Sequence, residues 1–122
     1  MKFMTMVKGN ENAGIPPKAL FDAIDKLIAD QAKSGILVDA GGLEPTAKAA
    51  RVRISGGKIK VTDGPFTEAK EVIGGYAILR AASLEEAIEM GKEFMALHIK
   101  HWPGWEGESE IRQMQEAPDS SG

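Results

Sequence analysis

The sequence predicts a single α+β domain in which two helices cover one face of an antiparallel sheet. Stretches with alternating apolar residues indicate strands, and two longer segments carry the apolar stripe of an amphipathic helix. Along the 122 residues these segments occur in the order β-α-β, a β-hairpin, then β-α-β. Without the hairpin this order is βαββαβ, which is the ferredoxin-like pattern.

The first strand is predicted near the N-terminus, where apolar residues lie on both faces. Phe3, Thr5 and Val7 fall on one face, and Met4 and Met6 fall on the other. A strand that is apolar on both faces is typical of the centre of a sheet, because both of its faces are then covered.

The first helix is predicted over residues 17–34. Pro16 and Pro17 favour its first turn, since proline is tolerated where the backbone N–H needs no partner. Gly35 is the predicted residue just after its C-terminus. Its buried stripe is formed by Leu20, Ile24, Leu27 and Ile28.

A second strand begins at residue 36 and is interrupted by two glycines at 41–42, which indicate a bulge or a close backbone approach. Residues 51–55 and 58–62 then alternate strictly, and Gly56-Gly57 between them indicates a two-residue hairpin turn. The apolar face of this hairpin is formed by Val52, Ile54, Ile59 and Val61. Its opposite, cationic face is formed by Arg51, Arg53, Lys58 and Lys60.

The remaining elements follow a tight turn at residues 63–66. Residues 72–81 read as a strand. Ser83 and Glu86 form the spacing of a capping box at the start of the second long helix. Residues 108–114 alternate weakly and are the predicted last strand.

The ferredoxin-like pattern leaves one sheet face uncovered, and an apolar sheet face of that size is usually buried by a partner. Met4, Met6 and Ile78, together with the tryptophans, are the candidates for this face. A homodimer packed sheet to sheet is therefore the expected assembly.

Composition restricts the classes of function. The net charge is −3, so no global basic field favours nucleic acid. There is no cysteine, which excludes disulfides and thiolate chemistry and fits the cytoplasm. No apolar run approaches the ~20 residues of a membrane span. We expect one domain over residues 1–117 and a flexible tail over 118–122.

Several stretches of the chain together resemble the YCII-related family, in its DGPF-domain branch. The stretches with similar residues are 35–43, 50–53, 57–58, 74–76, 86–89 and 110–113. The signature itself is residues 61–71, Val-Thr-Asp-Gly-Pro-Phe-Thr-Glu-Ala-Lys-Glu. The order of these elements makes the match specific, and similar residues run along nearly the whole chain.

The resemblance implies a dimeric α+β barrel with a cleft between the sheet and the inserted hairpin. It implies little about activity, because the family is mostly uncharacterised. Its YciI-like branch looks like an enzyme, with a histidine and an aspartate suggested as the catalytic pair. The first helix of this chain contains no histidine, so that half of the pair has no counterpart here.

Asp63 and Asp39 are the candidate catalytic bases. Asp63 is either a positioned carboxylate at a cleft edge or, more often for Asp before Gly, a turn residue that caps backbone N–H groups. Asp39 interrupts an apolar strand, and it lies either on an exposed edge or in a cleft that raises its pKa.

The candidate ligand-binding residues are Lys70, Arg51, Trp102 and Trp105. The two cations suit an anionic ligand, although charged runs of this kind are usually solvated surface. The tryptophans either form the wall of a pocket for a planar ligand or form dimer contacts. No metal site is predicted from His98 and His101, and His98 is instead expected to act as a cation at the helix C-terminus.

These features predict a homodimer with a cleft for a small organic, anionic ligand. If the protein is an enzyme, we expect it to be a lyase or isomerase that needs no cofactor. We expect no nucleic acid or membrane partner. The alternatives are a non-catalytic ligand-binding or regulatory module and a purely structural dimer.

Overall fold

The computed structural model describes residues 1–116, and the predicted tail at 118–122 lies outside the described residues. A short 3-10 turn, Thr46–Lys48, precedes the hairpin. The strands and helices in chain order are β1 (Lys2–Gly9), α1 (Lys18–Lys33), β2 (Leu37–Gly42), β3 (Ala50–Ser55), β4 (Lys58–Asp63), β5 (Val72–Arg80), α2 (Leu84–His101) and β6 (Gly107–Gln113).

The main sheet has four strands in the order β2-β5-β1-β6, and all neighbours are antiparallel. This order confirms the ferredoxin-like prediction. Strand β1 is central, as its two apolar faces indicate. Strands β3 and β4 pair only with each other and form a separate two-stranded sheet.

The end of α1 is set by Gly35, which has a φ of +82°. Its N–H donates to the carbonyl of Ala32 at 3.2 Å, and the N–H of Ile36 donates to the carbonyl of Gln31 at 2.9 Å. This pair of bonds is a Schellman motif, and it confirms the predicted helix end.

The start of α2 is capped as predicted. The Oγ of Ser83 accepts from the N–H of Glu86 at 3.1 Å. The carboxylate of Glu86 in turn accepts from the N–H of Ala82 at 3.1 Å, one residue before the position that a standard capping box uses.

The core lies between the sheet and the helices. Phe3 is fully buried there with Ala81 and Ala87. Ile111 packs against the same cluster, and a Cβ at Gly91 would lie 2.7 Å from its Cδ1. A glycine at this position therefore lets α2 approach β6 closely.

The opposite face of the sheet carries the residues expected to be uncovered. Cross-strand pairing sets Met4 beside Ile78 and Met6 beside Tyr76. Because partners in an antiparallel pair share a face, these four side chains form one apolar surface. Toward β6 this surface becomes charged. Lys8 of β1 forms an ion pair there with Glu110 of β6, with 2.6 Å between Nζ and Oε1. The tryptophans proposed for this surface lie elsewhere, as described below.

The hairpin projects from the sheet. Gly56 and Gly57 form the predicted two-residue turn, and their φ values of +59° and +74° are those of type I′. The four residues of the apolar face are 61–78% exposed. That face is therefore left largely uncovered by the other described residues. Neither helix within this range is long and apolar enough to span a bilayer.

Candidate functional site

A cavity of about 780 Å³ lies between the two helices and the sheet. Its floor includes Thr5 of β1 and Ala77 of β5. Apolar side chains of both helices close over it, among them Leu20, Ile24, Ile28, Met90 and Phe94. This differs from the expected cleft between sheet and hairpin, because no residue of β3 or β4 lines the cavity.

Trp105 lines the cavity, and two glycines make room for its ring. Gly9 and Gly107 are cross-strand partners on β1 and β6. A Cβ at Gly107 would lie 2.3 Å from the indole, and one at Gly9 would lie 2.8 Å from it. The ring therefore lies directly on bare backbone. Trp102 stacks on Trp105 with a centroid distance of 5.6 Å and also lines the cavity.

His98 lies beside this tryptophan pair. It is only 6% exposed and lines the cavity. Its ring contacts the rings of Phe94, at 5.0 Å between centroids, and of Trp105, at 4.8 Å. Burial lowers the pKa of His98, because the charged imidazolium loses its hydration. His98 lies in the last turn of α2 as expected, but its burial disfavours the charged form that the expectation assumed.

The charged residues around the cavity are acidic. Glu11, Asp25 and Glu44 belong to its lining, and among residues 1–116 no lysine or arginine does. Electrostatics at this site thus favour a neutral or cationic ligand over an anionic one.

Asp39 lies on the edge strand β2 and is exposed, which is the first of the two positions considered for it. One carboxylate oxygen accepts from the N–H of Ala40 at 2.9 Å, and the other accepts from the Tyr76 hydroxyl at 3.0 Å. The hydrogen bond to Asp39 raises the pKa of Tyr76. Asp39 pairs across the strands with Ile78, so its side chain belongs to the sheet face away from the helices.

The turn at residues 63–66 packs tightly on the segment before the hairpin. A Cβ at Gly64 would lie 1.6 Å from the carbonyl oxygen of Thr46. The N–H of Gly64 donates to the carbonyl of Ala49 at 2.8 Å. The Gly64–Pro65 peptide is cis, and Phe66 is buried. The φ of Gly64 is not positive, so its backbone conformation does not require glycine. Glycine is required because the backbone of Thr46 lies too close for a side chain.

Thr46 connects this turn to the loop after β1. Its Oγ1 accepts from the N–H of Phe66 at 3.2 Å and donates to the carboxylate of Glu11 at 2.6 Å. The backbone N–H of Thr46 donates to the same carboxylate. These bonds lower the pKa of Glu11. The turn therefore has an architectural role, since it holds the hairpin base against the body of the domain.

Arg51 lies over the ring of Phe66, with its guanidinium carbon 3.7 Å from the ring centroid. It also forms an ion pair with Glu68. The pKa of Glu68 is lowered first by a hydrogen bond to its own backbone N–H and then by the contact with Arg51. The predicted ligand cation is thus engaged within the turn itself. Asp63 ends β4 and Lys70 lies in the following loop, and both are exposed.

The predicted site residues therefore fall into three places. Trp102 and Trp105 come together at the cavity, Arg51, Asp63 and Lys70 belong to the hairpin base and the loop after it, and Asp39 lies on the open sheet face. Sequence reasoning did not find the cavity. One signal in the sequence could have indicated this site. Phe94 and His98 are four residues apart, so both rings lie on the same face of α2.

Comparison with known proteins fits this description. The family model described as "YCII-related domain" matches residues 1–95. An uncharacterised protein of Rhizobium meliloti (strain 1021) is 39% identical over 61 residues, which are 50% of this chain and 49% of that relative. The matched region thus spans about half the length of that curated relative. On the strength of the match to residues 1–95, the chain belongs to the YCII-related domain family.

Proposed function

We propose that this protein is a cytoplasmic homodimer whose subunits each bind a small, largely apolar organic molecule in the cavity between helices and sheet. The observation that carries the proposal is the cavity itself. Its volume of about 780 Å³ falls within the 300–1,000 Å³ typical of ligand pockets, and apolar and aromatic side chains dominate its lining.

The ligand is proposed to be neutral rather than anionic. Arg51, one of the two cations predicted to bind an anion, is paired with Glu68, and neither it nor Lys70 lines the cavity. An anion in the cavity would face acidic residues at its rim and lose its hydration without a cationic partner.

The test is a thermal-shift screen of small neutral aromatic and alicyclic molecules against the wild type, Ala77→Phe and Ala32→Phe. Ala77 is on the cavity floor, whereas Ala32 is exposed on α1. A ligand at one hundred times its Kd stabilises a protein by about 2.7 kcal/mol. We expect hits that raise the Tm of the wild type and of Ala32→Phe but leave a folded Ala77→Phe unchanged. Equal responses in all three proteins, or no hits, would contradict the proposal.

The homodimer is proposed to form through the open sheet face. Met4, Met6, Tyr76 and Ile78 give this face an apolar centre, and charged residues on β6 flank it on one side. Light scattering should report twice the 13.1 kDa of one chain. Met6→Glu should halve that mass, whereas Leu84→Glu, at an exposed site on α2, should not. A wild-type mass of one chain would refute the dimer.

Cofactor-independent acid–base chemistry, of the lyase or isomerase class, is the second candidate. The observation that favours it is the hydrogen bond from the Tyr76 hydroxyl to Asp39, because a carboxylate and a phenol in contact can exchange a proton. A substrate screen with Asp39→Asn and Asp63→Asn tests it. Turnover that survives both substitutions would exclude these bases, and no turnover by the wild type would favour a non-catalytic binding or regulatory module.

The signature at residues 63–66 supports placement in the DGPF-domain branch of the family. Its contacts with Thr46 and Ala49 indicate that the signature serves the fold at the hairpin base. We therefore do not assign the proposed ligand site to it.

A further inference from the structure

We propose that the ligand is a planar aromatic molecule with a hydroxyl or N–H donor, and that Nε2 of His98 accepts the hydrogen bond from that donor. The inference rests on the proposed function, because it concerns the same cavity. It adds the chemical class of the ligand and the residue that selects it.

The first step concerns the tautomer of His98. Its Nδ1 lies 3.1 Å from the carbonyl oxygen of Phe94. A carbonyl only accepts, so Nδ1 must carry a hydrogen. In a neutral imidazole the other nitrogen then has no hydrogen and offers a lone pair. Burial keeps this ring neutral, as its lowered pKa indicates.

The second step concerns access to Nε2. No side-chain nitrogen or oxygen among residues 1–116 is both fully buried and without a hydrogen-bond partner. Nε2 of His98 has no partner among these residues, so it must be reachable from open space. Because His98 is buried and lines the cavity, that space is the cavity.

Thr5 supports the same conclusion independently. Thr5 and His98 are the buried polar side chains in the described part of the chain, and both line the cavity. The hydroxyl of Thr5 donates to the carbonyl of Ala77 at 3.3 Å. Each side chain thus uses its donor on a backbone carbonyl and leaves acceptor capacity unused. A complementary ligand has to supply donors.

The aromatic character of the ligand follows from the neighbouring rings. Trp102 and Trp105 stack at an interplanar angle of 18° and line the cavity beside His98. Trp105 cannot retreat, because Gly9 and Gly107 bring it against the sheet backbone. A rigid aromatic wall of this kind favours a flat partner in offset or edge-to-face contact.

The test compares indole with benzofuran by titration calorimetry. The two molecules have nearly the same shape, but benzofuran has an ether oxygen where indole has an N–H. We expect wild-type protein to bind indole at least about tenfold more tightly, since benzofuran would leave the buried acceptor of His98 unpaired. His98→Phe should remove most of this preference. His101→Phe, three residues further along α2 and outside the cavity lining, should keep it.

A second measurement needs no variant of His98 to fold. In a nitrogen-15 spectrum of the imidazoles, assigned with His101→Phe, Nε2 of His98 should have the shift of an unprotonated nitrogen and should move with indole but not with benzofuran. A protonated Nε2 in the free protein would overturn the inference. Equal wild-type affinities for the two probes would also overturn it but leave the proposed cavity function intact. If neither probe binds, the ligand class is wrong, and the thermal-shift screen decides whether the cavity binds anything.

Discussion

Replacing Gly64 by alanine adds a single methyl group at a position where the structure has no space for it. The new Cβ would lie 1.6 Å from the carbonyl oxygen of Thr46, 2.7 Å from its carbonyl carbon and 3.2 Å from the carbonyl oxygen of Ala49. To restore even 3.0 Å to the first of these atoms, the two backbones must separate by about 1.4 Å, since 3.0 − 1.6 = 1.4. No side-chain rotation can relieve this contact, because its atoms belong to the main chain.

The expected cost combines two effects. Overpacking typically costs ~1–3 kcal/mol, and we expect the upper end because the obstacle is backbone. Separation would also weaken the 2.8 Å bond from Gly64 to Ala49, which is worth about 1 kcal/mol. We therefore predict that Gly64→Ala lowers the free energy of unfolding by about 3–4 kcal/mol.

Urea unfolding at one fixed protein concentration, followed by circular dichroism, measures this change. Gly74→Ala is the matched control, because it adds the same methyl group on β5 where no atom lies within 4 Å. That variant should stay within about 0.5 kcal/mol of the wild type. If the two variants are equally stable, the close approach at Gly64 does not exist and the architectural reading of the turn is wrong.

Three further predictions concern the hairpin base and the cavity. Hydrogen bonds from Thr46 lower the pKa of Glu11 in the folded protein. The ionised Glu11 carboxylate should therefore stabilise the fold above pH 4.5, its ordinary pKa, and this contribution should be lost as the pH falls through the lower folded-state pKa. Glu11→Gln should lose less stability in acid than the wild type does. Burial lowers the pKa of His98 in the folded protein. As the pH falls below 6.5, the unfolded chain therefore takes up a proton at His98 before the folded protein does, and the free energy of unfolding should decrease. In urea titrations between pH 7 and 5, His98→Phe should lose less stability than the wild type. Gly107→Ala should displace Trp105, because its Cβ would lie 2.3 Å from the ring, and should change tryptophan fluorescence and weaken indole binding at least about tenfold.

Each of these predictions has a control in the chain. Lys18 and Asp22 form an exposed ion pair within α1, so Asp22→Asn should leave the acid limb nearly unchanged when Glu11→Gln alters it. His101→Phe serves the same purpose for His98. Ala32→Phe is the control for Gly107→Ala, because Ala32 is exposed on α1 and lies outside the cavity lining. A Gly107→Ala protein with unchanged fluorescence and binding would contradict the account of the tryptophan wall.

Local patterns in the sequence predict most of the fold. The segment that contains Phe3 and Met4 is apolar on both faces, which identifies the central strand. Gly35 marks a helix end and Gly56-Gly57 marks a hairpin turn, because glycine adopts the positive φ that these positions need. These features depend on neighbours in the chain, so periodicity and turn chemistry are sufficient to find them. The order of the elements then restricts the topology to the one observed.

The candidate site was not predictable in the same way. The cavity is lined by Leu20 of α1, Phe94 of α2 and Ala77 of β5, which lie far apart in the chain, and no local pattern reports how such residues are arranged. The face occupied by Asp39 depends on a register shift between Leu37 and Asp39, which alternation cannot detect. His98 looked like a surface cation because the ring of Trp105, which packs against it, is positioned by close approach to Gly9 and Gly107 on two strands, and no local pattern reports that approach.

The claim that small molecules bind between the helices and the sheet is tested most directly by methyl-labelled NMR during an indole titration. Our account predicts saturable shifts for the methyl groups of Leu20, Ile24 and Ile28, which line the cavity, and none for those of Val52 and Ile54 on the exposed hairpin. Shifts confined to the hairpin, or to Met4 and Met6 on the open sheet face, would contradict it, because the ligand would then bind outside the cavity.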